Sequence, residues 1–148
     1  METKFASHCS YKIRYHMVMC VKYRKQLLSK GMRTEKLKEI LGELGEKYWF
    51  EMDEIGTDGD HVHVFVGAAP RYAPSQILQI IKSLTAREMF SAFPEMKKQL
   101  WGGEFWSDGG YIGTVGDEGN EITVRKYIKE QGDHKEKEQA HQLALFKV

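Results

Sequence analysis

The segment Asp60-His61-Val62-His63-Val64-Phe65-Val66 limits what this chain can fold into more than any other stretch. Successive strand side chains point to opposite faces, so His61 and His63 share one face while Val62 and Val64 share the other. The valine face asks for a core beneath it, and two imidazoles side by side can hold a divalent metal. Thr57-Asp58-Gly59-Asp60 reads as a turn and Trp49 to Ile55 as a strand. The two strands therefore make an antiparallel hairpin with the histidines near the start of its second arm. Asp60 alternates away from His61 and reads as a turn residue or an outer partner of the imidazole.

From Tyr11 to Tyr23, the residues Ile13, Tyr15, Met17, Met19 and Val21 alternate with Arg14, His16, Val18, Cys20 and Lys22, which predicts a first strand. Thr34 can cap a helix from about Glu35 to Lys47, with Leu37, Ile40, Leu41 and Leu44 as its apolar stripe. Pro74 suits the first turn of a second helix reaching Phe90. There Ile77, Ile80, Ile81 and Leu84 face the core, while Gln79, Lys82, Ser83 and Arg87 look outward. The stretch from Phe105 to Val115 predicts a fourth strand beside a loop, and Gly113 to Gly119 a flexible connector. Asn120 can cap a last helix over Glu121 to Gln131, with Gly132 ending it. The order βαββαβα predicts an α+β fold: a ferredoxin-like βαββαβ core, its antiparallel sheet covered by helices on one face, with one helix added at the end. No repeat or linker divides residues 1–148, which read as one domain. The charged residues 132–148, His134 and His141 among them, read as a mobile or solvated tail.

Apolar residues make up 41% of the chain and charged residues 29%, the balance of a soluble globular protein. Net charge is only +1, but acidic residues crowd into 51–60 and 117–138, leaving the N-terminal quarter locally basic. No apolar run approaches the ~20 residues of a membrane span, and the N-terminus lacks the apolar core of a signal peptide. Cys9 and Cys20 read as reduced thiols, and the expected compartment is the cytoplasm.

Near the C-terminus, Tyr127 and Gln131 stand four residues apart and project from one helix face. A tyrosine hydroxyl, with a pKa of ~10, is a poor nucleophile near neutral pH. A divalent cation on a neighbouring phosphate oxygen removes that handicap by polarising phosphorus and stabilising charge in the transition state. A glutamine amide oxygen can join two imidazoles without adding negative charge. By ligand type alone Zn, Ni, Fe and Mn all fit; phosphoryl chemistry with open coordination positions favours Mg or Mn. Lys12, Arg14, Lys22, Tyr23, Arg24 and Lys25 bracket the first strand, and Lys82 and Arg87 lie on the middle helix. Such cations neutralise phosphates and exposed rings stack on unpaired bases, so these residues are candidate nucleic-acid contacts. Trp101, Phe105, Trp106 and Tyr111 read instead as core or interface residues.

Several blocks, in order, resemble the small single-strand DNA transposases of the one-tyrosine HUH type, the TnpA family of minimal bacterial and archaeal insertion sequences. Val21-Lys22-Tyr23-Arg24 resembles the end of that family's first strand, and Asp60-His61-Val62-His63 its HUH motif. Ile81-Lys82-Ser83-Leu84-Thr85 resembles the following helix, and Phe105-Trp106-Ser107-Asp108-Gly109-Gly110-Tyr111 the aromatic block. Val124 to Gln131 is similar to the catalytic helix, with tyrosine and glutamine in register. The resemblance spans nearly the whole chain. It implies an HUH/RRM-like fold, His61, His63 and Gln131 as ligands of Mg or Mn, and Tyr127 as the nucleophile that cleaves single-stranded DNA. It further implies a 5′-phosphotyrosine link, recognition of hairpins at element ends, and a homodimer whose active sites are shared between subunits. The glycines at 113, 116 and 119 suit a helix that swings. Alternatives are a non-catalytic or domesticated hairpin-binding protein of the same fold, and an unrelated ferredoxin-like metal protein.

Overall fold

The structure is a computed structural model that describes residues 3–6, 8–29, 31–116 and 125–130. Its elements run β1 (Lys4–Ala6), β2 (Cys9–Tyr11), β3 (Arg14–Cys20), a 3-10 turn (Lys22–Arg24), α1 (Met32–Tyr48), β4 (Glu51–Asp58), β5 (His61–Gly67), α2 (Pro74–Ala92), α3 (Glu95–Gln99) and β6 (Tyr111–Thr114). Residues 125–130 are helical and are called α4 here. The main sheet is antiparallel with order β4-β5-β3-β6. Counting only its own strands, that is second, third, first, fourth, the order of a ferredoxin-like core.

The alternation of β3 and β5 decides where the core sits. Met17, Met19, Val62, Val64 and Val66 point to one face, where Leu37, Leu41, Leu44, Ile77, Ile81 and Met89 from α1 and α2 join them in one buried cluster. The opposite face carries His16, His61, His63 and Phe65, and α4 lies over it: Ile128 is buried with Phe65 and Val115. Every residue of β5 is buried, histidines included. Helices thus cover both faces of the sheet, α1 and α2 on one and α4 on the other.

Several boundaries depart from the pattern reading. The first strand is broken: Cys9–Tyr11 pairs with Lys4–Ala6 in a separate small hairpin, and only Arg14–Cys20 enters the sheet. The helix expected at Glu35 begins at Met32 with Gly31 as its cap, so Thr34 lies inside it. Its hydroxyl, three residues past the cap, instead reaches back to the carbonyls of Ser29 (2.7 Å) and Leu28 (3.2 Å). Trp49 ends α1 in a left-handed conformation (φ 61°), so β4 starts two residues late. Tyr111, not Phe105, opens β6; Gly113 pairs with His16 inside that strand and is no part of a connector. Trp101 is exposed, whereas Phe105 and Trp106 are buried as expected. The Trp106 indole donates to Thr85 Oγ1 at 2.9 Å, anchoring the aromatic block to α2. Asn120, Gly119, Gln131 and the tail at 132–148 lie outside the described residues.

Candidate active site

Strand register brings three imidazoles together. His63 pairs with Val18 on β3 and Gly56 on β4, His61 with Cys20 and Asp58, and His16 with Phe65 and Gly113. His16 Nε2 and His63 Nδ1 share a hydrogen bond of 2.9 Å, their rings stacked with centroids 5.1 Å apart. His61 Nδ1 lies 2.7 Å from Asp60 Oδ1, and Arg24 Nε donates to the other Asp60 oxygen at 3.2 Å. Burial pushes the Asp60 carboxyl up, but the His61 hydrogen bond and charge and the Arg24 guanidinium together hold it below its ordinary value. Asp60 is thus both turn residue and imidazole partner. A carboxylate can only accept, so the Asp60 contact puts a hydrogen on His61 Nδ1 and leaves Nε2 as the outer nitrogen of the ring.

The outer nitrogens of both histidines are the unusual atoms. His61 Nε2 and His63 Nε2 are buried with no hydrogen-bond partner among the described residues. A buried polar group left unpaired costs about 1–3 kcal/mol, so the pair would cost several unless a ligand binds them. Burial, followed by the neighbouring charges of His61 and His16, holds the His63 pKa well below its ordinary value; burial alone takes His16 down to about 4. Neutral imidazoles with free Nε2 lone pairs are what a divalent metal requires. The residues present fit such an ion. Among the described residues no set of three or more His, Cys, Asp and Glu joins them, and Gln131, the expected third ligand, lies outside the described residues.

The α4 helix carries Tyr127 over this site. Its ring centroid stands 5.5 Å from His63 and 6.1 Å from His16, each edge to face, and burial pushes its phenol pKa up. Three features seat the helix. Ile128 fills the space above Phe65 and Val115. Gly56 lies beneath the Ile128 carbonyl, where any Cβ would collide with it. Arg125 reaches Asp53 Oδ2 at 3.3 Å and lies 5.1 Å over the Phe65 ring.

The same Asp53 oxygen accepts from Arg14 Nε at 2.7 Å, and Glu51 takes Arg14 Nη2 at 2.6 Å. Arg14 is buried, and its guanidinium fills the space where a side chain on Gly67 would stand. It answers these two carboxylates and is therefore no free phosphate contact, which corrects its place among the candidate DNA residues. Lys82 is half-buried on the outer side of α2, and its ammonium is engaged: it donates to the carbonyls of Ser107 (2.8 Å) and Gly109 (2.7 Å), clamping the loop before β6. Arg87 is exposed on α2. Lys22, Tyr23, Arg24 and Lys25 form the turn that leaves β3 beside Asp60.

Sequence reasoning missed His16, Asp53, Arg125 and Gly56 as parts of the site. His16 was detectable, since its alternation puts it on the same strand face as Arg14 and Cys20. The other three depend on pairing across strands and on where α4 docks.

The family described as IS200-like transposase matches residues 9–131 of the chain. The ISDra2 transposase TnpA of Deinococcus radiodurans is 35% identical over 133 residues, covering 90% of this chain and 94% of that protein. The transposase of insertion sequence IS200 from Salmonella typhimurium is 28% identical over 130 residues, covering 88% and 84%. Among solved structures, a Deinococcus radiodurans R1 protein assigned as a transposase superposes with a TM-score of 0.70 at 32% identity, over 86% of this chain and 97% of that one. A REP-associated tyrosine transposase bound to a REP hairpin shares the fold, with a TM-score of 0.56 at 14% identity over 84% and 70%.

Proposed function

The chain belongs to the IS200-like transposase family, and on that premise we propose that it binds hairpins at the ends of its element and cleaves and rejoins single-stranded DNA through a tyrosine-linked intermediate. The observation that carries this reading is the edge-to-face placement of Tyr127 on His63, whose buried Nε2, like that of neighbouring His61, has no hydrogen-bond partner among the described residues. Tyr127 Oη forms a bond to phosphorus as the bond from phosphorus to the 3′-oxygen breaks. The phenolic proton is released and the departing 3′-oxygen takes one up. The products are a 5′-phosphotyrosine and a free 3′-hydroxyl, and attack by a 3′-hydroxyl on the phosphotyrosine reverses the step. One phosphodiester is exchanged for another, so no nucleotide cofactor is required.

His61, His63 and Gln131 would hold Mg or Mn, with Asp60 orienting His61 and His16 orienting His63. The ion, when bound, supplies charge stabilisation at the phosphate oxygens, which offsets the high pKa of a half-buried phenol. The hairpin as ligand is supported by the hairpin-bound tyrosine transposase of the same fold.

The test incubates the protein with a labelled single-stranded hairpin and Mg or Mn. The expected product is a denaturant-resistant protein–DNA adduct, absent in Tyr127→Phe and after chelation. An adduct that persists in Tyr127→Phe would remove the nucleophile assignment. Binding without cleavage across several end sequences would leave a hairpin-binding protein. The protein is further proposed to act as a homodimer. Mixing a His61→Ala/His63→Ala chain with a Tyr127→Phe chain reads out helix sharing: restored cleavage means exchange between subunits, and none means each Tyr127 serves the histidines it packs on.

A further inference from the structure

Two large aromatic side chains stand together on the surface, outside both cores. Tyr23 is 60% exposed and Trp101 71% exposed, and their rings meet edge to face with centroids 5.1 Å apart. Both residues hold left-handed backbone, Tyr23 at φ 59° and Trp101 at φ 53°. Bulky residues rarely adopt that conformation, and its strain is usually offset by burial or by function. Burial offsets nothing here, because most of each ring faces water.

Cations surround the pair. Lys25 Nζ lies 4.3 Å from the Trp101 ring centroid and Lys22 Nζ 5.8 Å from that of Tyr23. Arg24 lies between Tyr23 and Lys25 in sequence, and Lys97 and Lys98 close the short helix just before Trp101. The two segments are tied rather than merely close. Lys22 N donates to the Phe105 carbonyl at 2.8 Å, and Val21 bridges to Trp106. The turn is also tied to the histidine site, through Val21 N on the Asp60 carbonyl (2.7 Å) and Arg24 on the Asp60 carboxylate.

We propose that Tyr23 and Trp101 form a stacking subsite for an unpaired base of the single-stranded DNA, with Lys22 and Lys25 neutralising the flanking phosphates. Exposed π-faces with ammonium groups beside them suit one occupant, a nucleotide presenting a flat base and an anionic backbone. A protein partner would call for a broad apolar centre inside a polar rim, whereas here two rings stand alone with ammonium groups directly over them. The subsite rests on the strand-cleavage reading above and deepens it: it places one contact on unpaired DNA leading from the cleaved phosphate.

The test measures affinity of the full chain for a single-stranded hairpin oligonucleotide carrying one abasic position, moved stepwise along its unpaired flank. In the wild type one abasic position weakens binding about tenfold, the worth of one stacked base. Trp101→Ala and Tyr23→Ala weaken binding to the intact strand by the same factor and become insensitive to that abasic position. Trp101→Phe, which keeps a π-face, restores most of the sensitivity. Lys22→Ala and Lys25→Ala each lower the salt dependence by about one phosphate contact. Oligonucleotide binding also quenches Trp101 fluorescence. An abasic profile identical in wild type and Trp101→Ala, while wild type still forms the Tyr127 adduct, overturns the subsite and leaves the cleavage reading intact. Failure of wild type to bind or cleave any strand overturns both.

Discussion

Val62, Val64 and Val66 sit on one side of β5, and His61, His63 and Phe65 on the other, all of them buried. On the helix-packed side burial is the stabilising term itself, since each valine leaves water for a filled apolar cluster. On the α4 side the same degree of burial carries a cost, because two imidazole nitrogens lose water and gain no partner among the described residues. One side of the strand is finished by folding. The other leaves two nitrogens for the proposed metal, so that a single strand would serve both stability and chemistry.

The sharpest break in that comparison is expected at His63. His63→Ala should lower adduct formation about a thousandfold, near 4 kcal/mol in barrier, measured as single-turnover cleavage at saturating Mn. Asp53→Asn comes next, since it weakens the partner that buried Arg14 and α4 share. Denaturant melts should show a loss of about 3 kcal/mol, nearly all of it from the buried Arg14 contact, with the half-exposed Arg125 pair adding little. A loss below 1 kcal/mol would mean that Glu51 alone satisfies Arg14. For the ligand-finished side, Mn at a hundredfold over its Kd should stabilise wild type by about 2.7 kcal/mol and leave His63→Ala unmoved. Val64→Ala should instead cost about 2 kcal/mol and keep the full response to Mn, both read in thermal melts. Loss of the metal response in Val64→Ala would show that the two sides of the strand are not separable. Smallest is Asp60→Asn, which removes the charge that orients His61 and should weaken metal binding at least tenfold by titration calorimetry.

Periodicity made the sheet strands and both long helices legible, because α1, α2, β3 and β5 each bury one repeating set of apolar residues. It missed the break after Tyr11, since an alternating pattern continues through the crossing from one hairpin into the sheet. Trp49 and Trp101 were misplaced for a different reason: aromatic residues predict strand or core, and nothing local announces a left-handed backbone that turns them outward. The histidine pair and Tyr127 were legible as residues, and the resemblance gave them roles. The grip of Arg14 was not legible, because its carboxylates stand two strands away, reached across Gly67. Local pattern gives the face on which a charge lies but not which charge waits beyond the neighbouring strand.

Gly56 sets the height of Tyr127, the proposed nucleophile, by an atom it lacks. The carbonyl of Ile128 rests where a methyl group on residue 56 would be, so α4 sits as close to the sheet as backbone can approach backbone. Any side chain there acts as a shim under the helix, raising Tyr127 from the histidines by about 1 Å, and a displacement of that size can slow a reaction about a hundredfold. In the proposed reaction the reach of the phenol toward phosphorus would therefore be graduated by the residue at position 56, a strand position with no chemistry of its own.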